Sequence, residues 1–174
     1  DSFFDALNYA GSRVTVKGLN KQSLQGDKVY KKLFDMIGAI NGINYIDPID
    51  ISDCPDLGPI LFALAALKQG ARFIGTRRLR LKESDRAAAM KSELRKFGVG
   101  VDVKENEVIV RPDILRKPTE PLNGHNDHRI VMALSLLLTR TGGVIEGAEA
   151  VNKSFPDFFE KLIELGVDIQ YGMD

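Results

Sequence analysis

Two kinds of apolar spacing alternate along this chain. The first is apolar almost all round, as in Ile60-Leu61-Phe62-Ala63-Leu64-Ala65-Ala66-Leu67 and Ile130-Val131-Met132-Ala133-Leu134. A helix without a polar face must be buried on every side. Such helices are expected at Phe3 to Ala10, Leu57 to Lys68 and Arg129 to Thr139, each followed by a glycine at Gly11, Gly70 or Gly142. Glycine is the residue that most readily closes a helix. The second kind recurs every three or four residues. It turns Leu33, Met36 and Ile37 inward against Lys31, Lys32 and Asp35, and groups Met90, Leu94 and Phe97. It also turns Phe158, Phe159, Leu162 and Ile163 inward against Glu160, Lys161 and Glu164. These predict amphipathic helices, opened near Asp27, Asp85 and Asp157 and ended at Gly38, Gly98 and Gly166.

Between the two helix types lie short extended segments. Arg13-Val14-Thr15-Val16, Arg72-Phe73-Ile74 and Val144-Ile145 each run to a glycine, Gly18, Gly75 or Gly147. Val99, Val101 and Val103 alternate with period two, which predicts a hairpin with Val108 to Val110 through Lys104-Glu105-Asn106-Glu107. The same order therefore occurs three times, and internal repeats of this kind set the architecture. The expected class is α/β (α+β): three repeated βαβαββ-like units, with three buried parallel helices surrounded by sheets and outer amphipathic helices. One globular lobe covers 1–174, with units at approximately 1–50, 51–120 and 121–174. Pro112, Pro118 and Pro121 mark an extended connection between the second and third units.

Composition narrows the partners. The 174 residues hold 24 basic and 24 acidic side chains, so overall charge does not favour nucleic acid. Cys54 is the only cysteine; a disulfide framework is excluded and a reducing, cytoplasmic setting is expected. The longest apolar run, Ile130 to Leu138, contains a Ser and is too short to span a bilayer. The chain opens at Asp1 directly in an apolar helical pattern, which is expected of a piece of a longer or processed protein.

The chemistry-bearing residues gather at helix starts. Arg72, Arg77, Arg78, Arg80, Lys82 and Arg86 crowd one segment, which ends in Lys82-Glu83-Ser84-Asp85-Arg86 and a helix that Ser84 is placed to cap. Cations beside free backbone N–H groups suit a small anion; a solvated charged turn has the same composition. Asp56 stands at the start of the second buried helix, where an Asp serves as a cap or as an oriented general base. Gly124-His125-Asn126-Asp127-His128-Arg129 precedes the third. A metal reading of His125, Asp127 and His128 lacks a further ligand at suitable spacing, so Arg129 as a grip on a carboxylate or phosphate is preferred. Lys153 holds the place in its unit that Lys82 holds in the second, where a surface lysine is the plain alternative. No GxxxxGK[ST], GxGxxG or GxSxG motif occurs.

Taken together, Leu81-Lys82-Glu83-Ser84-Asp85-Arg86, Asn126-Asp127-His128-Arg129 and Lys153-Ser154-Phe155-Pro156-Asp157 resemble the 5-enolpyruvylshikimate-3-phosphate synthase family, and Gln25-Gly26-Asp27 and Pro55-Asp56 match in order. The resemblance implies a C-terminal lobe whose partner is the missing N-terminal lobe of the same enzyme, with the active site between them. It implies transfer of the enolpyruvyl group of phosphoenolpyruvate to the 5-hydroxyl of shikimate 3-phosphate, with no metal or organic cofactor. By similarity Asp56 takes the hydroxyl proton, Glu83 protonates the methylene carbon, and Lys82 contacts substrate. Arg86, Arg129 and Lys153 hold phosphoenolpyruvate, with His128 a neighbour. Some members carry Asn four residues before the motif Lys to contact shikimate 3-phosphate, and Arg78 stands there in this chain. The isolated lobe is expected to be inactive. The alternative is a non-catalytic anion-binding or assembly domain on the same repeat. RNA processing on a similar fold is disfavoured by the zero net charge and the absence of base-stacking aromatics.

Overall fold

The computed structural model describes residues 2–11, 29–40 and 47–172. The expected strand at Arg13 to Val16 with Gly18, the helix start at Asp27 and the Gln25-Gly26-Asp27 motif lie outside the described residues.

Two helices come first, α1 (Ser2–Tyr9) and α2 (Tyr30–Ala39). They are joined by a hydrogen bond from the Tyr30 hydroxyl to Asp5. Then strand β1 (Pro48–Asp50) leads through a 3-10 turn (Pro55–Leu57) into α3 (Gly58–Leu67) and strand β2 (Ala71–Ile74). A second 3-10 turn (Arg77–Leu81) precedes α4 (Arg86–Lys96), followed by the hairpin β3 (Val101–Val103) and β4 (Glu107–Val110). Glu107, expected in the turn, begins β4. The chain continues through β5 (Leu122–Asn123), α5 (His128–Thr141), β6 (Ile145–Glu146), a third 3-10 turn (Ala148–Lys153) and α6 (Phe158–Glu164). The architecture is mixed α/β. The order βαβαββ is complete in the stretch from β1 to β4. After β6 and α6 no strand pair follows among the described residues.

One sheet has the order β1-β2-β4-β3, with β1 parallel to β2 and the other pairs antiparallel. Its inward row sets Ile49 beside Phe73, Phe73 beside Val108 and Val108 beside Val103. The Phe73 ring lies 5.0 Å from that of Phe62 on α3. The apolar helix thus covers the sheet face that period-two alternation leaves apolar. Every residue of α3 from Gly58 to Ala66 is buried, as its all-round apolar sequence requires. By contrast α1 buries only Phe3, Ala6 and Leu7, because Asp5, Asn8 and Tyr9 occupy its other side. Helices α1, α3 and α5 pack against one another. Their first turns, at Ser2 and Phe3, at Ile60 after Asp56, and at Arg129 and Met132, line one recess. All three therefore start from the same end of the molecule.

The amphipathic helices differ from expectation in detail. On α2 the buried residues are Tyr30, Leu33, Phe34 and Ile37, while Met36 is exposed. On α6 Phe158 and Leu162 are buried and Ile163 is exposed. Each helix is short and presents one narrow stripe to the core, so an apolar residue a hundred degrees off that stripe stays in water. On α4 Met90 and Leu94 are buried as expected, and Phe97 follows them at the C-cap.

Gly70 ends α3 at φ +73°, and a Cβ there would lie 2.5 Å from the Val110 carbonyl oxygen and 2.8 Å from Pro112 N. Gly166 ends α6 at φ +91° with nothing within 4 Å of such a Cβ. Gly70→Ala is expected to lower unfolding free energy by about 2 kcal/mol or more, and Gly166→Ala by about 1 kcal/mol. Urea unfolding midpoints of the two variants check this; equal effects would contradict it.

Candidate active site

Parallel strands bring their C-terminal ends to one edge, which is where α/β sheets place ligand sites. Here β1 runs on to Asp56, and β2, its parallel neighbour, runs on to Lys82 and Arg86. The parallel pair β5–β6 does the same around α5, with Asp127 before the helix. Residues roughly thirty to seventy positions apart meet at this edge.

Arg86 is the centre of the meeting and is only 1% exposed. Its Nε donates to Asp127 Oδ2 at 2.9 Å, and Nη2 donates to Asp127 Oδ1 at 3.2 Å. Nη1 donates to Asp56 Oδ1 at 2.8 Å, and Nη2 also reaches Glu83 Oε2 at 2.6 Å. Three carboxylates thus surround one guanidinium, whose fixed fork suits this multidentate geometry. They hold it charged against the cost of burial. Asp127, with no exposed surface, also accepts from the Ser84 hydroxyl at 2.8 Å and from the Arg129 backbone N–H at 2.9 Å. Burial pushes its carboxyl up, but the Arg86 and Ser84 bonds, the Arg86 charge and the Arg129 N–H together hold it below the usual range. Among the described residues no buried side-chain nitrogen or oxygen lacks a partner.

Asp56 does not cap α3: the residue preceding that helix is Leu57, without a side-chain cap. Its carboxylate turns instead to Arg86 and to Lys82 Nζ at 3.0 Å. Burial raises its pKa, yet the Lys82 bond, the Arg129 and Lys82 charges and the Arg86 bond bring it below the ordinary value. Ser84, expected to cap α4, is likewise drawn inward to Asp127. The cap is Asp85, which accepts from Ala88 N at 3.0 Å. Asp157 precedes α6 without a side-chain cap bond.

The remaining expected residues make other contacts. Arg129, in the first turn of α5, lines the recess with Asp56. His128 beside it is half-buried; burial, then the Arg129 and Arg86 charges, lower its pKa below the ordinary 6.5. Lys153 closes its 3-10 turn and donates to the Asn126 carbonyl oxygen at 3.1 Å and to the Asn126 amide oxygen. Arg78 is exposed on the turn Arg77–Leu81, and among the described residues its side chain makes no hydrogen bond or ion pair. Of the three residues considered for a metal, His125 pairs with Glu93 and Asp127 with Arg86. Sequence reasoning missed Asp127 as the anchor of Arg86, and Ser84 as a donor to that Asp127. The signal available was an Asp directly before an apolar helix, but nothing local links it to an arginine 41 positions away.

A family model described as EPSP synthase (3-phosphoshikimate 1-carboxyvinyltransferase) matches residues 3–162. The chain belongs to the EPSP synthase family. A 3-phosphoshikimate 1-carboxyvinyltransferase of Brachyspira hyodysenteriae is 35% identical across 97% of this chain and 44% of its own length. One from Clostridium kluyveri is 38% identical across 97% of this chain and 42% of its own length. A solved EPSP synthase from Acinetobacter baumannii superposes on 71% of this chain with a TM-score of 0.64 and 30% identity, covering 30% of that chain. The chain thus spans less than half the length of the EPSP synthases it matches.

Because Asp127 is wholly buried, Arg86→Ala leaves a buried carboxylate without its cation. It is expected to destabilise the fold by about 3–5 kcal/mol, which urea unfolding measures. The lowered His128 pKa means that the unfolded chain takes up the proton first as pH falls. Stability is therefore full above about pH 6.5 and declines as pH drops through the lower folded value. His128→Gln is expected to flatten that decline below about pH 6.5; identical slopes would contradict it.

Proposed function

We propose that this chain is one lobe, the C-terminal one, of an enzyme that transfers the enolpyruvyl group of phosphoenolpyruvate to the 5-hydroxyl of shikimate 3-phosphate. This is a carboxyvinyl transfer in aromatic amino-acid biosynthesis, carried out in the cytoplasm, and the second lobe closes the cleft. Membership of the family supports the chemistry. The observation that carries the site is the convergence of Asp56, Lys82, Glu83, Arg86 and Arg129 at one strand edge. The complete βαβαββ order between β1 and β4 supports a lobe of three such units.

Both substrates are anions, and the reaction needs proton transfer at two atoms. In addition, the 5-oxygen bonds to C2 of phosphoenolpyruvate, Asp56 receives the hydroxyl proton, and Glu83 supplies one to the methylene carbon. In elimination, the C2–O bond to phosphate breaks, a methyl proton returns to Glu83, and the proton taken up by Asp56 leaves with the departing phosphate. Asp56 has the lowered pKa of a group that is ionised at neutral pH, as a proton acceptor must be. Lys82, Arg86, Arg129 and Lys153 oppose the substrate's phosphate and carboxylate charges, an electrostatic grip of the kind that dominates many rate enhancements. Glu83 keeps 47% of its side chain exposed, so an incoming carboxylate can take its place on Arg86 and free it for chemistry. In this reading His128, beside Arg129, and the exposed Arg78 are further substrate contacts; the position of His128 next to Arg129 supports the first.

In the chain completed by the N-terminal lobe, Glu83→Gln is expected to lower kcat roughly a hundredfold or more, read as phosphate release. Near-normal turnover would refute the proton-carrier role. Lys153→Ala is expected mainly to raise KM for phosphoenolpyruvate.

A further inference from the structure

Glu93 is a second buried charge on α4, seven residues after Arg86 and 1% exposed. Seven residues are about two turns, so the two side chains leave the helix on the same face. Arg86 holds Asp127. Glu93 holds the opposite end of the same short loop: Oε2 accepts from the Asn123 backbone N–H at 3.0 Å, and Oε1 lies 2.8 Å from His125 Nε2. Lys96 completes the node, 2.9 Å from Glu93 and 3.0 Å from the Pro121 carbonyl oxygen.

The loop so clamped is in an uncommon conformation. His125 and Asn126 both have φ +51°. Consecutive left-handed residues other than glycine cost about 1–3 kcal/mol each and persist only where the surroundings impose them. The surroundings here are specific. The His125 N–H donates to the Asn123 side chain at 2.7 Å, and Gly124 is pressed so closely on Gly147 that a Cβ would lie 2.6 Å from the Gly147 oxygen. The product of this geometry is Asn126, which turns its carbonyl and amide oxygens to the Lys153 ammonium.

We propose that Glu93 is a positioning residue: through His125 and the Asn123 backbone it holds the left-handed Asn126 turn that fixes Lys153 for the anionic substrate. Glu93 itself never meets substrate. The inference rests on the proposed role of Lys153, and the test separates the two. His125 is partly exposed and is the variant that spares the buried carboxylate.

In the enzyme completed by the N-terminal lobe, kcat and KM for phosphoenolpyruvate are measured for His125→Ala, His125→Gln, Lys153→Ala and the double variant His125→Ala/Lys153→Ala. His125→Ala is expected to raise KM about fivefold with kcat within about twofold of the parent. His125→Gln, whose amide can still donate to Glu93, is expected to restore most of the loss. The double variant is expected to be no worse than Lys153→Ala, because both changes remove one coupled unit. Effects that multiply, or a parental KM in His125→Ala beside a raised KM in Lys153→Ala, would overturn the positioning role alone. A parental KM in Lys153→Ala would overturn the role of Lys153 and this inference with it.

Discussion

A guanidinium taken out of water must recover its lost hydration from fixed acceptors, and Arg86 does so from three carboxylates at once. That requirement organises much of what lies near it. Asp127 must sit immediately before α5 to reach it, Asp56 must leave the helix end it would otherwise cap, and Ser84 must turn inward instead of closing α4. The Arg86 contacts tie together the segments that start α3, α4 and α5. The backbone that follows each segment is positioned by the same bonds. Removing Arg86 or Asp127 leaves the other buried with a charge it cannot place, whereas Asp56 and Glu83 are open to water.

The sheet makes this geometry possible. Parallel β1 and β2 end on the same edge, and the chain that leaves each edge carries one acidic or basic cluster. The buried helices start from that same end, which adds free backbone N–H groups and the positive ends of helix dipoles to the side-chain cations. In the absence of substrate, the cluster of Asp56, Glu83, Asp127, Lys82, Arg86 and Arg129 balances three negative groups against three positive ones. In the proposed function, anionic substrates enter this site by exchange, taking the places of exposed carboxylates on cations already in position. Pre-assembled charge of this kind costs little reorganisation at the moment of reaction.

Local pattern made much of this legible before any coordinates. The apolar run of α3 required full burial, the Val99 to Val103 alternation marked the hairpin, and Met90, Leu94 and Phe97 marked the inner face of α4. The motif residues Asp56, Lys82, Glu83, Arg86 and Arg129 stood out as charges at helix starts. What local pattern does not encode is which distant charge each one meets. Asp56 read equally as a cap because position within a helix is visible in sequence and a partner thirty residues away is not. Asp127 read as a possible ligand because its arginine lies in another unit. Glu93 carried no signal at all, being one more Glu on an amphipathic helix, until burial and the left-handed loop gave it a role. Met36 and Ile163 show the complementary limit: hydrophobicity marks what can be buried, while helix length decides how much of it is.

The central claim is that this chain supplies one competent face of a two-lobed cleft, and phosphate release from shikimate 3-phosphate plus phosphoenolpyruvate tests it most directly. The measurement is made on this chain alone and again with the separately produced N-terminal lobe added. The account predicts silence from the chain alone and turnover on mixing. Silence from two well-folded halves together would contradict it and leave an anion-binding or assembly role; turnover from this chain alone would contradict the need for a second lobe.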